Sequence, residues 1–191
     1  MTDLAIRGGL VVVPEGALER DLLVSDGRIQ SLVAPGAGTA SDELDARGLV
    51  VFPGVVDAHV HFNDPGRADW EGWERGTRGA AAGGVTTVCD MPLNSIPPTT
   101  TAQAFRAKRA AAEGGAHVDF ALWGGLTPDA DVAALHALGV VGVKAFLCDS
   151  GVPEFPRVDI ELISRTPGLV AVHAEDPALL LGRGASWARS R

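Results

Sequence analysis

The sequence has no tyrosine, two methionines, two cysteines and only two lysines in 191 residues. Each scarcity excludes something. Cys89 and Cys148 lie far apart in apolar runs. Buried free thiols in a reducing cytosol explain them better than a disulfide framework does. Basic residues are outnumbered, 16 Lys+Arg against 24 Asp+Glu, for a formal charge of −8. That balance argues against a nucleic-acid groove or a basic membrane patch. No apolar run reaches the about 18 residues that a membrane span needs. The first nine residues, MTDLAIRGG, lack the basic-then-apolar pattern of a leader. The expectation is a cytoplasmic protein with neither nucleic acid nor membrane as partner. The lysines, Lys108 and Lys144, stand against fourteen arginines, so each is a departure from the chain's habit.

What is present is a globular composition, 46% hydrophobic and 21% charged. The length allows one domain with a real core or two small ones. It falls short of the about 250 residues typical of a complete (β/α)8 barrel.

The first fifty residues read as short strands broken by turns. Leu4-Ala5-Ile6 and Leu10–Val13 are separated by Gly8-Gly9, and 20–25 and Arg28–Val33 flank Asp26-Gly27, a two-residue hairpin signal. After a polar segment comes Leu49-Val50-Val51. This predicts a small antiparallel β unit over residues 1–52. From Pro53 the texture changes to apolar strands alternating with Ala-rich helices. Strands are predicted at 54–60, Val85–Asp90, 117–122, 140–147 and 169–173. Helices are predicted at 70–82, 100–112 (with Thr100 and Gln103 as a capping box), from Thr127-Pro128-Asp129 to Gly139, and near 159–164. A further helix is predicted to start at Ala178. The fold class is therefore α/β: a β portion, then about five βα units over 53–191, the texture of a partial (β/α)8 barrel. Chemistry in such folds sits at the C-terminal strand ends.

The first of these strands ends in Asp57-Ala58-His59-Val60-His61. Residues i and i+2 of a strand share a face, so His59 and His61 present two imidazoles together, a pair suited to a divalent transition metal. A polar strand end at the surface would read the same way. The fourth strand holds Lys144 in Val143-Lys144-Ala145-Phe146. An amine in an apolar run must snorkel, pair with an anion or lose its charge. Unlike guanidinium it can also be deprotonated and carbamylated by CO2, becoming an anionic oxygen ligand. The fifth strand ends at His173. All four residues fall at predicted C-terminal strand ends, which favours a metal site over any single bland reading. His117, at a strand start, and His136, in a helix, are read as structural. Asn94, in the loop after the second strand, carries donors and acceptors that could read an amide or urea edge. Ser150 and Gly151, after the Lys144 strand, could line the same mouth. A loop turn is the alternative for Asn94 and the default for Ser150 and Gly151.

Four segments carry a family resemblance: PGVVDAHVHFNDPGR (53–67), GGVTTVCDMPLNSIPPTT (83–100), VKAFLCDSGVPEF (143–155) and VHAEDP (172–177). They resemble the cyclic amidohydrolases of the amidohydrolase superfamily, the group of dihydroorotase, hydantoinase and allantoinase. Asn63 and the MPLNS segment are most similar to the allantoinase branch. The resemblance implies a (β/α)8 TIM barrel with a β-sandwich built from both chain ends, and a small cyclic ureide as substrate. It implies two divalent metal ions, Zn2+ in type. His59 and His61 would hold one, His173 the other, and carbamylated Lys144 would bridge them. Metal-activated hydroxide would open the ring of allantoin to allantoate. A homo-oligomer, commonly a tetramer, is implied as well.

The chain also departs from that pattern. The His expected on a sixth strand and the general-base Asp on an eighth are absent from the 191 residues. Lys144 and His173 lie several residues closer than the family pattern, with a clipped helix near 158–166. The last segment, LLGRGASWARSR, does not resemble the family's continuation. The expectation is a fragment, inactive or nearly so by itself. The alternatives are another cyclic amidohydrolase, a dihydropyrimidinase, hydantoinase or dihydroorotase, and a non-catalytic remnant or partner subunit.

Overall fold

The computed structural model describes residues 2–175, and the chain divides into two compact units, Met1–Gly54 and Val55–Arg191. The helix predicted from Ala178 lies outside the described residues.

The first unit holds seven strands: β1 (Leu4–Arg7), β2 (Leu10–Val13), β3 (Gly16–Glu19), β4 (Asp21–Ser25), β5 (Arg28–Val33), β6 (Asp42–Asp45) and β7 (Val50–Val51). They form two sheets, ordered β5-β4-β1-β6 and β3-β2-β7. The hairpin at Asp26-Gly27 is present, both residues having positive φ, 51° and 68°. That conformation matches the right-handed strand twist and suits Asp-Gly. Sequence reading missed β3 and β6. Every residue of both is exposed, so neither has an alternating apolar face. The unit is also not purely antiparallel. β1 pairs parallel with β6, and β2 with β7, because the chain returns by long connections to add these strands at sheet edges. Inside, Asp21 ties the turns together. It accepts from the Gly8 N–H at 2.9 Å, the Gly36 N–H at 2.8 Å and the Arg7 guanidinium at 3.0 Å.

The second unit is built from five parallel strand positions taken in sequence order. They are β8 (Val55–Val60), β9 (Val85–Asp90), β10 and β11 (Asp119–Leu122 and Gly124–Gly125), β12 (Val143–Phe146) and β13 (Val170–His173). β10 pairs with β9 and β11 with β12, all parallel. Residues 119–125 thus form one strand position, broken at Trp123, whose N–H donates to Asp90 O. The intervening helices are α1 (Gly72–Ala82), α2 (Ala102–Gly115), α3 (Val132–Ala137) and α4 (Ile160–Arg165). This is the (β/α)8 barrel pattern, five units of it.

Two helix starts differ from the sequence expectation. Thr101, not Thr100, caps α2, its hydroxyl accepting from the Ala104 N–H. α3 begins only after Asp131, whose carboxylate accepts from the Ala134 N–H. Thr127 instead closes a turn onto Ala130, leaving Pro128 in the loop.

The strands form two three-stranded sheets, β10-β9-β8 and β11-β12-β13, and alternation along the strands gives each two faces. Val88 and Leu122 point outward to Trp73 of α1, Phe105 of α2 and Leu135 of α3. Val143 and Ala145 pack outward with Leu162 and Ile163 of α4. Their neighbours Cys89, Trp123 and Phe146 point the other way, against Met91, Leu93 and Phe155. The inner face receives the candidate site.

Candidate metal centre at the strand ends

The two histidines of β8 lie together, ring centroids 5.3 Å apart. The Asp57 carboxylate accepts from the His59 N–H at 3.1 Å and shapes the strand end. Leu93 O lies 2.6 Å from His61 Nδ1. A carbonyl can only accept, so Nδ1 carries the proton and Nε2 keeps its lone pair. That is the arrangement by which a backbone carbonyl orients a metal-binding imidazole. Burial pushes His59 below its ordinary value, and the nearby His61, Lys144 and His173 add to the effect against an opposing pull from Asp57. β8 carries the imidazole pair, and the adjacent strands β12 and β13 carry Lys144 and His173. A neutral His59 is the ligating form.

Lys144 is buried. Its Nζ lies over the Phe146 ring, 5.0 Å from the centroid. Among the described residues it has no ion pair and no hydrogen-bond acceptor. Burial pushes its ammonium down, opposed only by Cys148. Phe146 also stacks on His173, centroids 4.9 Å apart and planes 11° apart, and the two residues are direct partners in the β12–β13 ladder. His173 Nε2 is 3.2 Å from Glu175 Oε1. Lys144, Phe146 and His173 therefore share one inner surface.

Behind this surface lies a pair that sequence reading did not single out. Lys108 of α2 and Asp90 at the end of β9 are both fully buried and joined by a salt bridge. Lys108 also donates to Met91 O at 2.5 Å, and Asp90 Oδ1 accepts from the Phe62 N–H at 2.7 Å. Burial raises the Asp90 carboxyl and lowers the Lys108 ammonium, while their mutual contact opposes both shifts. The pair fixes the residue after His61 and the start of the loop that carries Leu93. The signal was available: Ala104, Lys108 and Ala112 form one buried helical stripe, and a lysine inside such a stripe needs an anion.

The other candidates are held by their loops. The Asn94 side-chain amide donates to Asn63 Oδ1 at 3.1 Å, and Asn94 O accepts from Arg67 at 2.6 Å. The Ser150 hydroxyl lies 3.1 Å from Val152 O and 2.7 Å from Phe155 O, and the Gly151 N–H donates to Asp149 at 3.0 Å. No described contact joins Asn94, Ser150 or Gly151 to the four strand-end residues. His136 Nε2 donates to Pro167 O at 3.1 Å, a structural role. Cys89 and Cys148 are buried and unpaired.

Residues 50–151, more than half of the chain, match the amidohydrolase family. The chain belongs to the amidohydrolase family. Family members are generally metal-dependent. The chain is 50% identical over 184 residues to an allantoinase of Solibacter usitatus, covering 92% of this chain and 40% of that protein. It is 47% identical over 186 residues to an allantoinase of Streptomyces avermitilis, covering 92% and 42%. Its fold matches an L-hydantoinase (dihydropyrimidinase) from Arthrobacter aurescens with a TM-score of 0.86 and 31% identity, over 100% of this chain and 44% of that one. The chain thus spans about 40% of the length of the curated relatives it matches. Among the described residues no helix is long and apolar enough to cross a membrane.

Proposed function

We propose that the protein carrying this chain is a metal-dependent hydrolase that opens the ring of a cyclic ureide, allantoin, to give allantoate. The observation that carries the reading is the strand-end group: two paired imidazoles, a third imidazole, and a buried lysine without an anion. The donor chemistry fits two divalent cations of the zinc class. His59 and His61 would hold one, His173 the other, and Lys144 would serve both as its carbamate.

Burial prepares Lys144 for that change. A neutral amine attacks the carbon of CO2, an N–C bond forms, and one proton leaves to solvent. The side chain turns from a neutral amine into a monoanion. This answers the question of why an amine is buried here without a carboxylate. His61 offers Nε2 because Leu93 O fixes the proton on Nδ1. Burial lowers the affinity of His59 for a proton and so favours its neutral, ligating form. A divalent pair held there supplies Lewis acidity, polarising the ring amide carbonyl and making water nucleophilic near neutral pH. Asn94, Ser150 and Gly151, in the loops after β9 and β12, would present amide and hydroxyl groups to the ureide edges. The allantoinase relatives support allantoin as that ureide, and the reading includes assembly as a homo-oligomer.

A second reading, ring opening of a hydantoin or dihydropyrimidine, is favoured by the fold match to L-hydantoinase. The test is a substrate panel on the purified full-length protein that carries this chain, supplied with Zn2+ and bicarbonate. Allantoin hydrolysis well above that of hydantoin and dihydrouracil is expected. Preference for either of those overturns the substrate, and loss of no activity on chelation overturns the chemistry.

A further inference from the structure

We infer that Cys148, His173 and Glu175 form a cation site of mixed soft and hard donors, one that takes Zn2+ and its softer analogues. It deepens the proposed function at the His173 position and rests on that reading only in sharing this histidine.

The Cys148 sulfur, a His173 ring nitrogen and a Glu175 carboxylate oxygen lie within 4.8 Å of one another. In a tetrahedral zinc site, bond lengths of about 2.0–2.3 Å separate ligand atoms by about 3.5 Å. The group therefore has to close by about 1 Å. Two of its members are held. The His173 ring is stacked on Phe146, and the Leu147 N–H donates to His173 O at 3.1 Å, fixing the backbone beside Cys148. The third, Glu175, is exposed on the chain leaving β13 and has room to move. Its carboxylate is already 3.2 Å from His173 Nε2.

Cys148 is buried among Met91, Trp123 and Phe155, a dry wall that keeps water from competing for the cation. Cation binding expels one proton, from the thiol to solvent. His173 binds neutral and Glu175 binds ionised, so thiolate and carboxylate together balance the double positive charge. A thiolate donor discriminates against Mg2+, Ca2+ and Mn2+, which prefer all-oxygen sites. Cys89, the other cysteine, belongs to the same apolar cluster but not to the donor group, and so serves as an internal control.

The test is Co2+ loading of the purified metal-free protein. Thiolate ligation gives an intense near-ultraviolet charge-transfer band, whereas imidazole and carboxylate ligands give only weak visible bands. The band is expected in the wild type and in Cys89→Ser, and is expected to vanish in Cys148→Ser. Zn2+ affinity in Cys148→Ser should fall at least about ten-fold. Absence of the band from the wild type, or its survival in Cys148→Ser, overturns the site. If Cys148→Ser does not fold, zinc-edge X-ray absorption of the wild type decides: a sulfur scatterer at about 2.3 Å supports the site, and nitrogen and oxygen scatterers alone overturn it. Turnover of allantoin is read separately, on the full-length protein that carries this chain. A band without turnover sinks the proposed substrate and leaves the cation site standing, and turnover without a band does the reverse.

Discussion

Lys108 and Lys144 are the only two lysines of an arginine-rich chain, and both are buried in the barrel unit. Their surroundings differ in one respect. Lys108, on the helix side, meets Asp90 and Met91 O and closes a network reaching Phe62. Lys144, on the inner face, meets an aromatic ring and a thiol and has no carboxylate partner among the described residues. Rarity and burial are common to both, so neither property marks chemistry. The partner does. A buried amine with an anion is a structural tie, and the proposed function gives the one without an anion a different use.

The comparison can be broken from the Lys108 side first, where the effect is largest. Removing one member of a buried ion pair costs about 3–5 kcal/mol, because the other charge is stranded. Lys108→Ala should lose that much in denaturant unfolding. Lys108→Met combined with Asp90→Leu should lose less than either single change. A neutral Lys108→Ala contradicts the structural role. Lys144→Met comes next. The change removes a buried amine that has no ionic partner, so the unfolding midpoint should hold or rise. Hydrolytic activity should fall by more than about 100-fold, since even groups that only support metal ligands cost about 10–100-fold. A stability loss matching that of Lys108→Ala would erase the distinction.

Smaller effects test the frame around the two lysines. Thr101→Ala removes the α2 cap, on the helix that carries Lys108, and should cost about 1 kcal/mol, with Thr100→Ala near neutral. In the N-terminal unit, the Gly8 N–H, with the Gly36 N–H and Arg7, holds Asp21 below the usual carboxylate range against the opposing push of burial. The unfolded chain, with an Asp value of about 3.9, binds the proton more readily. Stability from Asp21 is thus complete above that value and is lost as pH falls through the lower folded value. Asp21→Asn should flatten the acid limb of the stability curve measured from about pH 5 downward.

Much of the barrel was legible because its physics is local. The β9 boundaries, Val85–Asp90, match the reading residue for residue, since an apolar run ends at a charge and a Gly-Gly break precedes it. The same logic placed His59, Lys144 and His173 on parallel strands, where β8, β12 and β13 hold them. What escaped the sequence depends on long-range partners. β3 and β6 have no buried face to announce them. The parallel pairing of β1 with β6 follows from a chain return that no short motif encodes. The Lys108–Asp90 pair was missed because helix and strand were read separately, although the apolar stripe around Lys108 required an anion. Cys148 was read as inert core, and only the β12–β13 register sets it beside His173.

The central claim, that the unpaired Lys144 is kept for carbamylation, is tested most directly by 13C NMR of the purified protein. The sample is equilibrated with 13C-bicarbonate and Zn2+. A single carbamate carbon resonance is expected, present in the wild type and absent from Lys144→Arg. No such resonance in the wild type, or one that survives in Lys144→Arg, would contradict the account.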